Sequence, residues 1–545
     1  MVHAALDATA REQVLDRLER ERFDMVVVGG GISGAGVARE ASQRGLSVAL
    51  VEAEDFASGT SSRSSKLIHG GLRYLAMGDV GLVRKTALER KEIHRLAPHL
   101  AEKRWLIIPT RTLASHLTMR AAIATYEKLG AVEAEDRHRN LSGQDLEREE
   151  PALDPGVYKY GSIYREYLTD DAHLVLANLR SAAGFGAAVI NRARVETIFK
   201  EGGAAAGVEF VCLLSDRRVR VRGRCVVNAA GPWVDAVRRL EDEQAKSLLH
   251  LSKGVHLVLP AERLPVNNML ILSAADRRTV FVIRQCECVY IGTTDTTYAP
   301  GHEVWPEIGR ADIEYLLEPA RRGLRCEPVR PDEVVAAWAG LRPLIAEPGK
   351  KPHEISRRDE VMVGPAGVIT MAGGKLTGYR PLARETVKRA AEVCGIDLAP
   401  LPAEETPLPG GDFADGLESL ASTLTRDTGV GPACAARLVR LYGSEALEIA
   451  RSGTEPLVAG CPVLAAEVDW SVRTEGAAKL EDTLYRRLRT AWYTPGTRDA
   501  SVEPIGERMA SLLGWSDERR RAEVREARSL LASELRFLEE RREPR

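Results

Sequence analysis

No stretch of this sequence is apolar over the ~20 residues that a membrane-spanning helix needs. The residues before Asp24 contain no apolar region of the secretory type. Neither sign of charge dominates, since 76 Lys and Arg residues and 78 Asp and Glu residues leave a formal net charge of -2. No overall field therefore draws the protein to nucleic acid or to anionic lipid. We expect a cytoplasmic protein that binds no nucleic acid, and peripheral contact with the inner face of the cell membrane stays open.

Cysteine is also sparse. The eight cysteines are scattered along the chain, which makes reduced thiols the default. Only Cys286 and Cys288 lie close together, and the spacing C-E-C would place both on one face of a strand. Two packed strand residues are favoured over a metal or redox pair, so we expect no metal site.

The length predicts more than one domain. With 545 residues, of which 44% are hydrophobic and 28% charged, the chain exceeds the usual size of a single core and has a globular composition. The segment APLPAEETPLPGGDF, residues 399–413, is rich in proline and glycine and is the clearest linker. Mostly helical patterns follow it. The last helix carries an apolar stripe from Val524 to Leu538 that could dock on its own domain, pair with a second subunit or rest on lipid.

A glycine-rich turn follows the first strand at once. Met25–Val28 is an apolar run of the kind found in buried parallel strands, and a helical pattern and a second apolar run, Val48–Val51, come after the turn. Glycines let the backbone turn sharply and approach a pyrophosphate, to which the helix N-terminus offers its NH groups. An acidic residue that can bind a ribose hydroxyl belongs after the second strand. We predict a site for NAD or FAD formed by Gly29, Gly31, Gly34 and Glu52.

A second signal comes much later, in GRCVVNAAGPWVDAV. Cys225–Val227 predicts a buried strand, and Ala229–Gly231 predicts a turn of small residues. A chain that returns to the first sheet after a long excursion would place this turn near the same cofactor.

The stretch VVVGGGISGAGVAREASQRGLSVALVEAEDFASGTSSRSSKLIHGGLRYL resembles the opening of the FAD-dependent, respiratory-type glycerol-3-phosphate dehydrogenases. The resemblance continues through LTDDAHLVLANL, VVNAAGPWVD, KGVHLVLP, VYIGTTDT, WAGLRPLI and AGGKLTGYR, over roughly residues 22 to 395. One departure is FVIRQCECVYIGTTD, where Arg284 and Gln285 stand in place of the family's Pro-Trp and the segment is one residue shorter. A hairpin is still expected there.

The resemblance implies an architecture like that of D-amino-acid oxidase. Its fold class is α/β plus α+β, with a discontinuous Rossmann-like FAD domain, a mixed-sheet substrate domain and a C-terminal all-α domain. The expected divisions are an N-terminal extension (1–21), FAD-domain segments (22–105, 170–250 and 351–398), a substrate-domain segment or connection (106–169), the substrate-binding domain (251–350), a linker (399–413) and the helical domain (414–545).

The activity that the resemblance implies is oxidation of sn-glycerol 3-phosphate to dihydroxyacetone phosphate, with the hydride passing to flavin N5 and the electrons to a quinone. A homodimer stays open. Two alternatives are an oxidase that uses O2 and makes H2O2, and a flavin-binding redox sensor or scaffold without catalysis. By resemblance, the FAD-binding residues are Gly29, Gly31, Gly34, Glu52, Thr60, Ser61, Ser62, Ser65, Val195, Gly231, Gly374, Lys375, Leu376 and Thr377.

Three cations lie in glycine-rich or family-like turns and could hold a phosphate dianion. The planar fork of Arg meets two oxygens at once, and Lys acts as a point charge. The alternative is a set of solvated surface charges. We predict that Arg73, Tyr74, Arg342 and Lys375 bind the substrate and that Arg342 also serves catalysis.

Two histidines are candidates for the proton transfer. His69 suits a base near neutral pH, because an unperturbed imidazole has a pKa of ~6.5; it could instead only order its turn through a hydrogen bond. His256 alternates with apolar residues on a predicted strand, and a core position is favoured over a site position. We therefore predict His69 as the catalytic base.

Overall fold

Two β-sheets organise the chain in this computed structural model, which describes residues 4–70, 80–298, 304–346, 359–402 and 405–542. In the first sheet the central strand β1 lies between β10 and β2 in parallel register, with Val28 beside both Asn228 and Val51. The chain thus returns to its first sheet, as the small-residue turn after β10 predicts. The strands of this sheet are β1 (Arg22–Val28), β2 (Val48–Val51), β7 (Ala188–Ile190), β8 (Ala193–Glu201), β9 (Ala204–Cys212), β10 (Arg218–Asn228), β17 (Glu360–Val363) and β18 (Ile369–Ala372).

The second sheet is mixed. Its strands are mostly antiparallel, and β12 and β4 pair in parallel. Its strands are β3 (Leu67–Ile68), β4 (Glu102–Thr110), β5 (Arg139–Ser142), β6 (Tyr160–Leu168), β11 (Leu249–Pro260), β12 (Met269–Ser273), β13 (Thr279–Gln285), β14 (Cys288–Gly292), β15 (Thr296–Thr297) and β16 (Ala336–Ile345).

The expected hairpin after Phe281 is present, since β13 and β14 pair up to Gln285 and Cys288. The prediction that Cys286 and Cys288 lie on one face of a strand is wrong. Cys286 sits in the turn with φ +53° and is exposed, whereas Cys288 is buried in β14, because the tight turn interrupts the strand between them.

Helices cover both sheets. On the first sheet, α2 packs against α6 and α9, and their apolar faces form one core with Met25, Val27 and Leu50. The helices that precede the C-terminal region are α1 (Arg11–Arg20), α2 (Ile32–Gln43), α3 (Val80–Leu96), α4 (Leu113–Leu129), α5 (Gln144–Glu149), α6 (Asp171–Gly184), α7 (Val234–Glu241), α8 (Arg310–Gly323) and α9 (Tyr379–Cys394).

The C-terminal region is helical. Its last helix buries Val524, Ala527 and Leu531 against a core shared with Trp338, and Leu535 and Leu538 pack on the second sheet, so the apolar stripe docks on its own chain. The helices are α10 (Gly416–Thr428), α11 (Pro432–Tyr442), α12 (Ala446–Ser452), α13 (Ala465–Arg473), α14 (Leu480–Asp482), α15 (Thr490–Tyr493), α16 (Arg498–Leu513) and α17 (Asp517–Glu534). Among the helices of the described ranges, none has the length and apolarity to cross a membrane.

Candidate active site

A cavity of about 1020 Å³ lies where the two sheets meet. The loop wall, Thr60–His69, follows β2, includes the short strand β3 and forms one side. The sheet wall forms an adjoining side. It consists of the neighbouring strands β11, β14 and β16 with Thr293–Asp295, and residues of β11, β16 and Thr293–Asp295 line the cavity. The turn Gly373–Thr377 after β18 completes the polar part, and apolar side chains such as Leu106, Met119 and Phe281 line the rest.

The glycine turn at the end of β1 has the geometry of a dinucleotide cradle. Gly29 has φ +114°, and a Cβ there would lie 2.6 Å from the carbonyl oxygen of Ala229. A Cβ at Gly34 would lie 1.9 Å from the carbonyl oxygen of Gly29. Side chains at these two positions would therefore force the turn apart, so both glycines are needed for the close approach of strand, turn and helix.

The start of α2 contacts the loop wall. Gly31 is the N-cap, and the backbone NH of Ile32 donates to Ser61 Oγ at 3.0 Å. Ser62 is buried, and its carbonyl accepts from Lys66 Nζ at 2.8 Å. The loop wall is thereby fixed directly against the cofactor turn.

Glu52 lies at the end of β2, beside the glycine turn. Its Oε2 accepts from the NH of Gly30 at 2.6 Å, and its Oε1 accepts from the NH of Glu54 at 2.8 Å. Desolvation raises the pKa of Glu52 to about 7, although both backbone hydrogen bonds act in the opposite direction. A carboxyl group held at the mouth of a glycine turn fits the ribose of a dinucleotide such as FAD.

Of the other predicted cofactor residues, some line the cavity, whereas Val195 and Gly231 are not among the lining residues. Gly231 follows β10 with φ +53°, and a Cβ there would meet open space. Val195 lies in β8, half-buried against a core on the first sheet. The structure brings Thr60, Ser65, Gly374, Lys375, Leu376 and Thr377 to the lining of the cavity.

His69 lines the same cavity at the end of the loop wall. Its backbone NH donates to Thr377 Oγ1 at 3.2 Å, and that hydroxyl donates to the His69 carbonyl at 3.1 Å. Two segments that are distant in sequence are therefore joined beside the imidazole. The predicted residues Arg73 and Tyr74 lie outside the described residues.

Arg342 extends from β16 into the cavity. Its Nη2 donates to Thr293 Oγ1 at 3.0 Å, and its Nη1 lies 3.4 Å from Ser252 Oγ and 3.5 Å from Asp295 Oδ1. The side chain is 20% exposed. These contacts fix the guanidinium plane in the cavity, which Lys375 also lines.

The sequence favours a core position for His256. It is buried, as expected, but it also lines the cavity. Its Nε2 lies 2.8 Å from Ser65 Oγ, and its ring stacks on Trp338 with centroids 4.9 Å apart. Burial is the largest cause that holds the pKa of His256 well below 6.5, and the nearby positive charges of Arg342 and Lys66 act in the same direction. The ring is therefore neutral. The alternation in KGVHLV places it on one strand face but could not reveal what that face meets.

The chain is similar to known proteins over nearly its whole length. Residues 24–380 match the family described as FAD dependent oxidoreductase, and residues 402–520 match the C-terminal domain of alpha-glycerophosphate oxidase. Aerobic glycerol-3-phosphate dehydrogenases of Staphylococcus haemolyticus and Staphylococcus aureus are each 34% identical to it, over 94% of this chain and 95% of theirs.

Solved structures give the same result. The glycerol-3-phosphate dehydrogenase of Bacillus halodurans, complexed with FAD, superposes with a TM-score of 0.81 at 30% identity and covers 98% of this chain and 99% of its own. The L-alpha-glycerophosphate oxidase of Mycoplasma pneumoniae, with FAD bound, shares the fold with a TM-score of 0.56 at 18% identity, over 72% of this chain and 98% of its own.

Proposed function

The chain belongs to the FAD dependent oxidoreductase family, and on that premise we propose that it oxidises sn-glycerol 3-phosphate to dihydroxyacetone phosphate and passes the electrons to a quinone. Full-length similarity to proteins named for this dehydrogenase activity supports the substrate. The glycine turn, Glu52 and the loop wall form the cradle for FAD. When bound, FAD supplies the acceptor for the hydride.

The observation that carries the proposal is the meeting of cations and imidazoles in one cavity. Arg342 and Lys375 come from different sheets, yet both line the same cavity, as do His69 and His256. Glycerol 3-phosphate is a small dianion, and a guanidinium with a nearby ammonium is suited to its phosphate. A protein that only bound flavin would have no use for this arrangement, which disfavours a sensor or scaffold.

The roles divide by chemistry. Arg342 and Lys375 hold the phosphate, and Arg342 keeps the substrate in register for hydride loss. His69 takes the proton of the substrate hydroxyl. His256 is a second candidate for that proton, because its neutral imidazole lines the same cavity; its lowered pKa makes it a weaker base than an ordinary imidazole.

A quinone acceptor would bring the protein to the inner face of the cell membrane. The rival acceptor is O2, which would yield H2O2. With substrate present, reduction of a quinone or quinone-like dye without peroxide supports the dehydrogenase, whereas peroxide formed in proportion to substrate supports the oxidase.

The decisive test is the visible spectrum of the FAD-loaded protein without oxygen. Glycerol 3-phosphate should bleach the flavin band, and glycerol at the same concentration should not, because glycerol lacks the phosphate. A band that persists with both compounds would refute the substrate assignment and leave the FAD fold intact.

A further inference from the structure

A short helical stretch of the C-terminal region places three buried arginines inside the protein. After α14, residues Thr483–Arg487 form a π-helical turn, and Arg489 then adopts φ +61°. Such conformations are uncommon for residues with side chains and persist where tertiary contacts maintain them. Arg486, Arg487 and Arg489 are at most 2% exposed.

Arg489 binds the start of α6. Its Nε donates to Asp170 Oδ2 at 2.8 Å, and its Nη2 donates to Asp171 Oδ1. Asp170 is the N-cap of α6, and Asp171 is its first residue. Both carboxylates are buried, so a cation from the C-terminal region compensates them where water cannot.

Asp171 in turn holds the loop wall. Its Oδ2 accepts from Ser64 Oγ at 2.7 Å and from Ser64 N at 3.2 Å, and its Oδ1 accepts from Lys66 Nζ at 3.0 Å. Lys66 has φ +55° and is buried. A single carboxylate therefore links Arg489 to two residues of the loop wall.

The segment held by Asp171 contacts the sheet wall directly. Ser65 Oγ lies 2.8 Å from His256 Nε2. Tyr290 OH donates to the Ser65 carbonyl at 3.0 Å, and Trp338 Nε1 donates to the Ser64 carbonyl at 3.3 Å. A shift of Ser64 or Ser65 would change the distance between the loop wall and His256.

We propose that Arg489 is a positioning residue: acting through Asp171, it fixes Ser64–Lys66 against His256. Through the contact of Lys66 with the Ser62 carbonyl, it also steadies the part of the loop wall that meets the cofactor turn, so that the C-terminal helical region supports one wall of the cavity. The flavin readouts of this inference are independent of the substrate, and only its kinetic readout rests on the proposed function.

The competing explanation is that the buried ion pair only joins the C-terminal region to α6. A second pair provides the matched control. Arg180 of α6 donates to both carboxylate oxygens of Glu445, at 2.7 Å each, and is also buried. It joins the same two parts of the chain, but its hydrogen bonds within the described ranges lead to Glu445 and not to the loop wall.

The test compares Arg489→Lys with Arg180→Lys in the FAD-loaded, full-length protein. Lysine keeps the charge but loses the fork that serves two carboxylates. We expect Arg489→Lys to raise the FAD dissociation constant by about tenfold, which corresponds to one charge-assisted hydrogen bond. It should also change the visible circular dichroism of the bound flavin and slow anaerobic flavin reduction by glycerol 3-phosphate. Both variants should lower the melting temperature by similar amounts. Arg180→Lys should leave the FAD dissociation constant and the circular dichroism of the bound flavin as in the wild type.

A milder variant, Ser64→Ala, removes the hydroxyl that donates to Asp171 and accepts from the Lys66 backbone NH. It should change the same flavin readouts in the same direction by a smaller amount. It keeps the test decisive if Arg489→Lys does not fold. The inference is overturned if the folded variants lower the melting temperature but retain wild-type FAD affinity and flavin dichroism. If glycerol 3-phosphate does not reduce the flavin of the wild-type protein, the proposed function is refuted, and the inference about Arg489 is still tested by FAD affinity and flavin dichroism.

Discussion

The loop wall and the sheet wall face the same cavity but bring their side chains there by different routes. The loop wall carries Ser65 and His69 within one short stretch, beside the glycine turn. The sheet wall gathers His256, Thr293 and Arg342 from three separate segments, and strand register brings them together: His256 pairs with Gly292 and Trp338, and Ser252 pairs with Arg342. A wall formed by one contiguous stretch can be recognised in the sequence as a motif. A wall formed by paired strands can be recognised only once the fold is known.

The largest expected effect tests the cradle on which the loop wall rests. Gly34→Ala would place a Cβ 1.9 Å from the Gly29 carbonyl oxygen, so the purified variant should retain no FAD and should unfold at a lower temperature. Gly496→Ala, where a Cβ meets nothing within 4 Å, is the control. Measuring flavin absorbance per mole of protein checks both. Wild-type flavin content in Gly34→Ala would mean that the turn does not hold the cofactor.

The next effect isolates the sheet wall. Arg342→Met should lower kcat/KM for glycerol 3-phosphate by about a thousandfold, the scale of losing a charge that pairs with a desolvated anion. FAD content should be unchanged. Arg284→Met removes an exposed cation of the same sheet and should have little effect. If steady-state assays show equal losses of kcat/KM in the two variants, Arg342 does not bind the substrate.

A smaller effect decides which wall supplies the base. His69→Asn should slow flavin reduction by about a hundredfold or more, the usual contribution of a general base. His256→Asn should slow it less, through loss of the Ser65 contact. Stopped-flow reduction without oxygen, over a range of pH, measures both rates. If His256→Asn shows the larger loss and abolishes the acid limb of the pH profile, the base belongs to the sheet wall.

The smallest effect is on stability. The folded state keeps His256 neutral because burial lowers its pKa, whereas the unfolded chain binds a proton below about pH 6.5. Its contribution to the free energy of unfolding is therefore full above that pH and decreases below it, by at most about 1.4 kcal/mol per pH unit.

Urea denaturation of the wild type and His256→Asn, from pH 7 to pH 5, measures this contribution. The variant should show a shallower decrease in stability toward acid. Parallel pH dependence of His256→Asn and the wild type would contradict a buried neutral imidazole.

Family membership, the FAD cofactor and the fold class are confirmed predictions. The local pattern predicted a dinucleotide site, and the family resemblance supplied the choice of FAD and the fold class. Strand, glycines, helix, strand and Glu52 follow one another within about 30 residues, as a dinucleotide unit requires. The domain boundaries and the roles of the site residues stay predictions. His256 was assigned to the core because alternation along a strand shows which residues share a face but not what that face contacts.

The sequence by itself determined the cofactor turn, because short-range geometry selects glycines and an acidic residue at fixed spacing. It indicated the loop wall through the family resemblance of a contiguous stretch. Only the tertiary structure decided that β11 and β16 bring His256 and Arg342 together, and that Arg489 reaches Asp171 from 318 positions away. Pairing between distant segments depends on the burial and register of whole sheets and helices, and no local pattern records which partners will meet.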